Sequence, residues 1–81
     1  MKTVYVIQSI LAPDEWYSGL TEDLCARIRQ HNAGQSPHTS KFKPWRLVVS
    51  VCFEDDIRAV DFERYLKSGS GRAFASKHFR S

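Results

Sequence analysis

The sequence predicts a small α+β domain, in which a three-stranded, mostly antiparallel sheet is flanked by three helices in the order ββαβαα. Stretches rich in β-branched and aromatic residues alternate with stretches that begin at capping residues and end at glycines. The chain has 81 residues, of which 42% are hydrophobic and 12% aromatic. This size and composition predict a single globular domain over residues 1–81, without room for a second core.

The first half of the chain predicts a hairpin followed by a helix. Residues 3–10 predict the first strand, and residues 16–20 predict the returning strand after a turn at 12–15. Thr21 is a good N-cap, two acidic residues follow it at the positive end of the helix dipole, and Gly34 ends the helix.

The second half of the chain predicts a loop, a strand and two helices. These elements cover residues 35–44, 45–53, about 56–67 and 72–79, respectively. The loop is polar and bounded by prolines, and the strand has two adjacent valines at its centre. Asp55 or Asp56 caps the longer helix, and the Ser-Gly-Ser-Gly run at 68–71 separates the two helices.

Positive charge is concentrated in two stretches of a chain whose net charge is +3. Every charged residue between positions 35 and 53, and every one from position 64 onwards, is basic. This distribution is typical of a surface that binds a polyanion, although an ordinary solvated surface explains it equally well. The candidate nucleic-acid-binding residues are Lys41, Lys43, Arg46, Arg72 and Lys77.

The cysteines and the N-terminus indicate a cytoplasmic protein that does not bind a membrane. Cys25 and Cys52 lack metal-site spacing, and buried thiols in a reducing compartment explain them better than a lone disulfide, which stays open as an alternative. Polar residues interrupt the apolar N-terminal run, and no signal-peptide cleavage site follows it.

Two predicted helices place charged groups beside their apolar stripes. Glu63 lies near the apolar stripe of the second helix, where a carboxylate needs an arginine, backbone amides or a metal ion as its partner. Structural ion pairing is the simpler interpretation of Glu63. On the first helix, Arg27 and His31 lie one turn apart, where a solvent-facing cation and a packed ring are the ordinary interpretation.

An ordered series of short motifs resembles the GIY-YIG nuclease superfamily. T-V-Y ends at Tyr5, and after eleven residues Y-S-G-L-T begins at Tyr17. The series continues through Arg27, His31 and a Pro-Trp pair to Glu63 in A-V-D-F-E-R-Y-L-K, and K-S-G-S-G-R follows. The resemblance covers almost the whole chain and is strongest to the small stand-alone bacterial members.

The resemblance implies a divalent-metal-dependent endonuclease that hydrolyses phosphodiester bonds in DNA. Glu63 would hold Mg²⁺ or Mn²⁺, since a lone carboxylate suits an ion that keeps most of its waters. Tyr5 and Tyr17 would lie side by side near the scissile phosphate, with Tyr5 as general base or water-orienting group. Arg27 would bind phosphoryl oxygens, and His31 would relay the proton.

The sequence also departs from the pattern of the family. Thr3 replaces the first glycine and Ser18 replaces the isoleucine, but neither position carries chemistry. Many members have an asparagine in the C-terminal helix, whereas residues 64–81 contain none. Ser76 and His78 are the candidate substitutes.

The resemblance further implies action on branched, nicked or single-stranded DNA, in repair or processing, with little sequence preference. Two alternatives stay open. One is a nucleic-acid-binding module without turnover, in which Phe42 and Trp45 beside the basic residues of the loop would stack on bases. The other is a nuclease subunit that needs a partner chain. For the tyrosines alone, the alternative to catalysis is simple cross-strand packing.

Overall fold

A three-stranded antiparallel sheet forms the centre of the structure, a computed structural model that describes residues 1–80. The central strand β1 (Lys2–Ser9) pairs with β2 (Trp16–Thr21) on one side and with β3 (Trp45–Phe53) on the other. The helices are α1 (Leu24–Asn32), α2 (Asp56–Leu66) and α3 (Gly69–His78). The predicted α+β class, strand number and ββαβαα order are confirmed.

The alternation of side chains along β1 divides the core into two layers. Val4 and Val6 face α2 and α3, whereas Tyr5 and Ile7 face α1 and the 35–44 loop. The pairing of β1 with β3 shifts register between Val6 and Ile7. This irregularity changes which β3 side chains face each layer, and Trp45 therefore packs with Tyr5 and Ile7.

The start of α1 differs from the prediction, whereas the start of α2 agrees with it. Thr21 is the last residue of β2, and its hydroxyl accepts a hydrogen bond from the Asp23 backbone N–H (3.1 Å). Asp23 is the N-cap of α1, because its carboxylate accepts from the Ala26 N–H at 3.1 Å. The prediction of Thr21 as N-cap is therefore wrong by two residues. Asp55 caps α2 as predicted, accepting from the Ile57 N–H.

The α3 helix begins earlier than predicted. The Ser-Gly-Ser-Gly run was expected to separate the helices, but α3 starts at Gly69, with Ser68 as its N-cap. Gly71 is buried where α3 crosses the end of α2, and a Cβ there would overlap the Tyr65 carbonyl oxygen and lie 2.7 Å from Leu66 Cα. The glycine at position 71 therefore permits close helix packing and does not break the helix.

Two further features concern the cysteines and the helix lengths. Cys25 and Cys52 are both free and exposed, so the prediction of buried thiols is wrong. Cys52 pairs with Thr3, on the face of the sheet opposite to that of its neighbours Val51 and Phe53. Among residues 1–80, no helix has the length and apolarity needed to cross a bilayer.

We predict that Gly71→Ala lowers the free energy of unfolding by about 2–3 kcal/mol, because the new methyl group forces α2 and α3 apart. Gly69→Ala is the matched control, since a Cβ at position 69 meets no atom within 4 Å. Alanine at position 69 should leave stability unchanged or raise it by up to about 1 kcal/mol. Urea unfolding followed by circular dichroism measures both, and equal effects of the two changes would contradict the packing role of Gly71.

Candidate active site

A chain of buried hydrogen bonds links β1, α1 and the 35–44 loop. The Tyr5 hydroxyl lies 2.8 Å from His31 Nε2, and His31 Nδ1 lies 2.7 Å from Thr39 Oγ1. All three side chains are at most 1% exposed. Because an unpaired polar group in this position is costly, each member of the chain holds the next in place.

The 35–44 loop is held against this chain by two contacts with the strands. Trp45 Nε1 donates to the Thr39 carbonyl oxygen at 2.9 Å, and the Ser9 hydroxyl donates to the Phe42 carbonyl oxygen at 2.6 Å. A short 3₁₀ turn, Ser40–Phe42, lies between these anchors. The predicted polar loop therefore has a fixed conformation and places Thr39 beside His31.

Arg27 completes the chain from the other side of Tyr5. Its Nε donates to the Tyr5 hydroxyl at 3.3 Å, and its Nη1 donates to Gln30 Oε1 at 3.0 Å. Since Tyr5 accepts from Arg27, its own proton is free to be donated to His31 Nε2. His31 then donates from Nδ1 to Thr39, and every group in the chain has a partner in this neutral tautomer.

Gly19 makes room for the Tyr5 hydroxyl. Tyr5 and Gly19 are register partners in the β1–β2 pair, and a Cβ at position 19 would overlap the hydroxyl and lie 2.6 Å from Cζ. Tyr17 lies two residues earlier on β2, on the same face of the sheet. Its ring centre is 6.4 Å from that of Tyr5 and 5.3 Å from that of His31. The two tyrosines therefore pack side by side, around the imidazole.

Burial and the neighbouring cation set the protonation states of this cluster. Burial raises the pKa of Tyr5, although the hydrogen bond and positive charge of Arg27 act in the opposite direction. Burial lowers the pKa of His31, and the charge of Arg27 lowers it further. At neutral pH the cluster therefore holds a protonated phenol next to a neutral imidazole that can accept a proton.

Glu63 forms an ion pair with Lys67, one helical turn further along α2. Lys67 Nζ lies 2.7 Å from Glu63 Oε2, and the Glu63 side chain is 19% exposed. The contact with Glu63 raises the pKa of Lys67. Lys67 Nζ also lies 5.6 Å from the centre of the Tyr17 ring. Glu63 thus adjoins the tyrosine cluster through Lys67.

The residues around Glu63 suit a metal ion that keeps most of its waters. Among the described residues, no group of three His, Cys, Asp or Glu side chains could hold an ion. A single, partly buried carboxylate has too few ligands for a tetrahedral zinc site and would suit an ion that is otherwise held by water. The observed partner of Glu63 is Lys67, which is none of the three predicted partners, although the contact agrees with the interpretation of Glu63 as an ion-paired residue.

The five candidate nucleic-acid-binding residues are exposed but lie in two layers. Lys41 and Lys43 belong to the loop on the α1 side, and Arg46, on β3, donates to the Gln8 side chain. Arg72 and Lys77 lie on α3, on the opposite face of the sheet. Of these five residues, Arg72 lines the same surface cleft as Tyr17.

Sequence reasoning missed two residues of this site. Thr39 gives no periodic or motif signal, since it contacts His31 only because the loop folds back. Lys67 did give a signal, because glutamate and lysine four residues apart on a helix commonly pair. Of the two candidate substitutes for the missing asparagine, Ser76 is exposed, and His78 packs on Phe74 with their ring centres 4.7 Å apart.

A protein-family model, several known proteins and a solved structure are similar to this chain. Residues 1–77 match the model of the GIY-YIG catalytic domain. The UPF0213 protein of Lacticaseibacillus paracasei is 34% identical over 67 residues, covering 82% of this chain and 75% of that protein. The solution NMR structure of the UPF0213 protein BH0048 from Bacillus halodurans aligns with a TM-score of 0.56 and 27% identity, covering 95% of this chain and 84% of that one.

A second group of relatives is much longer than this chain. The structure-specific endonuclease subunit SLX1 of Scheffersomyces stipitis is 39% identical over 67 residues, covering 74% of this chain. The match spans only 20% of the length of that relative. The family-model match and the two UPF0213 proteins show that the chain belongs to the GIY-YIG family of nucleases, where it is similar to the small stand-alone members.

Proposed function

We propose that the protein is a divalent-metal-dependent endonuclease that hydrolyses phosphodiester bonds in DNA, acting in the cytoplasm in DNA repair or processing. The observation that carries this proposal is the hydrogen-bonded series Arg27–Tyr5–His31, formed by residues that the resemblance to the family implies as catalytic. A packed tyrosine pair alone would not need a cation on one side of the phenol and a neutral imidazole on the other.

The protonation states support a specific proton route. Because burial raises the pKa of Tyr5, its hydroxyl is a poor base by itself and needs an acceptor for its own proton. His31 Nε2 is that acceptor, 2.8 Å away. As water attacks phosphorus, the bond between phosphorus and the leaving oxygen breaks, and the leaving oxygen takes a proton from solvent water. The proton of the attacking water passes to Tyr5 Oη while the Tyr5 proton passes to His31. The resulting imidazolium donates from both nitrogens, to Tyr5 and to Thr39.

Arg27 has two tasks in this proposal. Its Nε orients the Tyr5 hydroxyl, and the remaining guanidinium N–H groups are available for phosphoryl oxygens. Its charge stabilises the negative charge that builds up on those oxygens in the transition state. Lysine cannot perform both tasks, because it lacks the planar arrangement of donors.

Glu63 is the proposed ligand for Mg²⁺ or Mn²⁺. A divalent ion held there supplies positive charge for the phosphoryl and leaving oxygens. Lys67 occupies Glu63 Oε2 in the structure, so binding of the ion requires that this contact is shared or released.

The substrate we propose is branched, nicked or single-stranded DNA, recognised by its structure. Contacts to phosphates fix a protein on its nucleic acid but carry little sequence information. The exposed cations Lys41, Lys43, Arg46, Arg72 and Lys77 are the proposed contacts. The description of the SLX1 relatives as structure-specific endonuclease subunits supports this selectivity. Because these relatives are subunits, the second candidate is a nuclease that needs a partner chain.

The test is to incubate the purified protein with end-labelled linear, nicked, branched and single-stranded DNA, with Mg²⁺, Mn²⁺ or EDTA. We expect metal-dependent cleavage of the nicked, branched or single-stranded DNA and little cleavage of the linear duplex. Cleavage that appears only after addition of a cell extract favours the partner-dependent nuclease. Metal-independent binding without cleavage in either condition identifies a binding module and rejects the proposal.

We predict that Glu63→Gln abolishes cleavage, because the proposed metal ligand is lost. DNA affinity should change less than about twofold, because one partly buried charge contributes little to the total electrostatic attraction for phosphates. Its stability should fall by no more than about 0.5 kcal/mol, the usual size of an i,i+4 pair at a surface. Asp61→Asn, an exposed carboxylate on the same helix, is the charge-matched control and should cleave normally. A variant that unfolds would assign Glu63 a structural role.

We predict that Arg27→Ala reduces turnover at saturating DNA by roughly 100- to 1,000-fold, the usual loss when one donor to a transition-state oxyanion is removed. Arg27→Lys should recover only part of this loss. Arg29→Ala removes the same charge from an exposed position of the same helix and serves as control. Equal losses in affinity and turnover for Arg27→Ala would make it a simple binding residue.

We predict that stability falls as the pH is lowered from about 7 to 5, in part because of His31. The pKa of this residue is lowered in the folded state, whereas in the unfolded chain it titrates near 6.5. The unfolded state therefore binds a proton first, and each unit of difference in pKa costs about 1.4 kcal/mol. Urea unfolding at both pH values should show a smaller loss for His31→Gln than for the wild type. The exposed His38→Gln is the control, and equal losses in wild type and His31→Gln would contradict a neutral imidazole.

A further inference from the structure

A cleft with a volume of about 260 Å³ opens beside Tyr17, at the free edge of β2. Its polar wall consists of Trp16, Tyr17, Ser18, Lys67, Arg72 and Arg80, and buried apolar residues complete the lining. The volume is slightly below the lower end of small-molecule sites, roughly 300 Å³, and suits a single nucleotide unit.

The cleft has a strongly positive lining. Lys67, Arg72 and Arg80 all border it, and none of the lining residues is acidic. Within residues 1–80, Arg72 and Arg80 form no ion pair, and only Lys67 is partly neutralised, by Glu63. Three like charges around so small a volume repel one another, so the cleft favours an anion.

An aromatic side chain adds a second type of contact. Trp16 is partly exposed on the edge strand, and the Arg80 guanidinium carbon lies 5.1 Å from the centre of its ring. This cation–π contact holds Arg80 at the rim of the cleft. Cations next to a partly exposed aromatic ring are the combination found in sites that bind single-stranded nucleic acid.

The cleft is continuous with the candidate active site. Tyr17 lines the cleft and packs against both Tyr5 and His31. Lys67 lines it as well, while binding Glu63 and lying over the Tyr17 ring. Tyr17 and Lys67 therefore connect the cleft to the residues proposed for catalysis.

We propose that the cleft binds one unpaired nucleotide of the substrate strand, next to the bond that is cleaved. Its base displaces the Arg80 guanidinium from the Trp16 ring, and its phosphate lies among Lys67, Arg72 and the released Arg80. The base must leave the double-helical stack to reach Trp16, so the cleft selects nicked, branched or single-stranded DNA over intact duplex. The inference rests on the proposed nuclease function and supplies the physical basis of its selectivity.

The test measures binding without metal, in EDTA, so that it is independent of cleavage. Fluorescein-labelled octathymidylate and a blunt duplex of twelve base pairs are titrated with protein by fluorescence anisotropy. Quenching of tryptophan fluorescence by unlabelled octathymidylate locates the site, since Trp45 is buried and on the other layer. Trp16→Phe should remove the quenching, and thermal unfolding confirms that each variant is folded.

We expect octathymidylate to bind more tightly than the duplex and to quench Trp16. Arg72→Ala and Arg80→Ala should each weaken its binding roughly ten- to a hundredfold, the size of a lost hydrogen bond to a charged group. Arg58→Ala, an exposed arginine on α2 that faces Asp55, is the control and should change affinity less than about twofold.

Four outcomes overturn the inference. The first is equal weakening by Arg58→Ala, which indicates unspecific electrostatics. The second is quenching by inorganic phosphate at the same concentration as octathymidylate, which indicates an anion site only. The third is duplex binding as tight as single-strand binding. If the wild type cleaves DNA but the cleft variants bind normally, the inference fails and the nuclease function stands. If Arg72 and Arg80 are needed for binding but no condition gives cleavage, the nuclease function fails and the cleft stands as a binding site.

Discussion

The hydrogen bond between the Tyr5 hydroxyl and His31 is the interaction on which the rest of the structure depends. It joins the central strand to α1 at a point without solvent, where either group left unpaired costs about 1–3 kcal/mol. Through Thr39 the same chain fixes the 35–44 loop, and through Arg27 it reaches the surface. Stability of the domain and alignment of the proposed proton route therefore depend on the same few atoms.

The position of β2 at the edge of the sheet brings together groups from opposite layers. Arg27 and His31 reach the tyrosines from α1, on one face. Lys67 follows the C-terminus of α2, which packs on the other face, yet its ammonium group lies over the Tyr17 ring. An additional strand beyond β2 would stand between these two sets. The free edge thus makes possible a site that combines a buried polar cluster with an exposed cationic cleft.

How much the sequence could predict depends on the range of each interaction. β3 and the cap of α2 were predicted correctly because strand composition and capping are local properties. The start of α3 was wrong, since glycine is ambiguous until the contact between Gly71 and α2 is known. The motifs indicated Arg27 and His31 as candidate site residues, but their hydrogen bonds with Tyr5 depend on the packing of α1 against β1. Thr39 was not predictable, because its role depends on the path of a loop.

The register of β1 against β2 places the tyrosine from the first half of the family motif directly opposite the glycine from the second half. Gly19 faces Tyr5 across the strand pair, and the space that a side chain would fill is taken by the phenol. The first half of the motif supplies the Tyr5 side chain, and the second half supplies Gly19, whose lack of a side chain leaves space for it. In protein design, grafting this tyrosine onto another hairpin therefore requires transfer of the glycine at the facing position. In evolution, the two positions should change together or remain as they are.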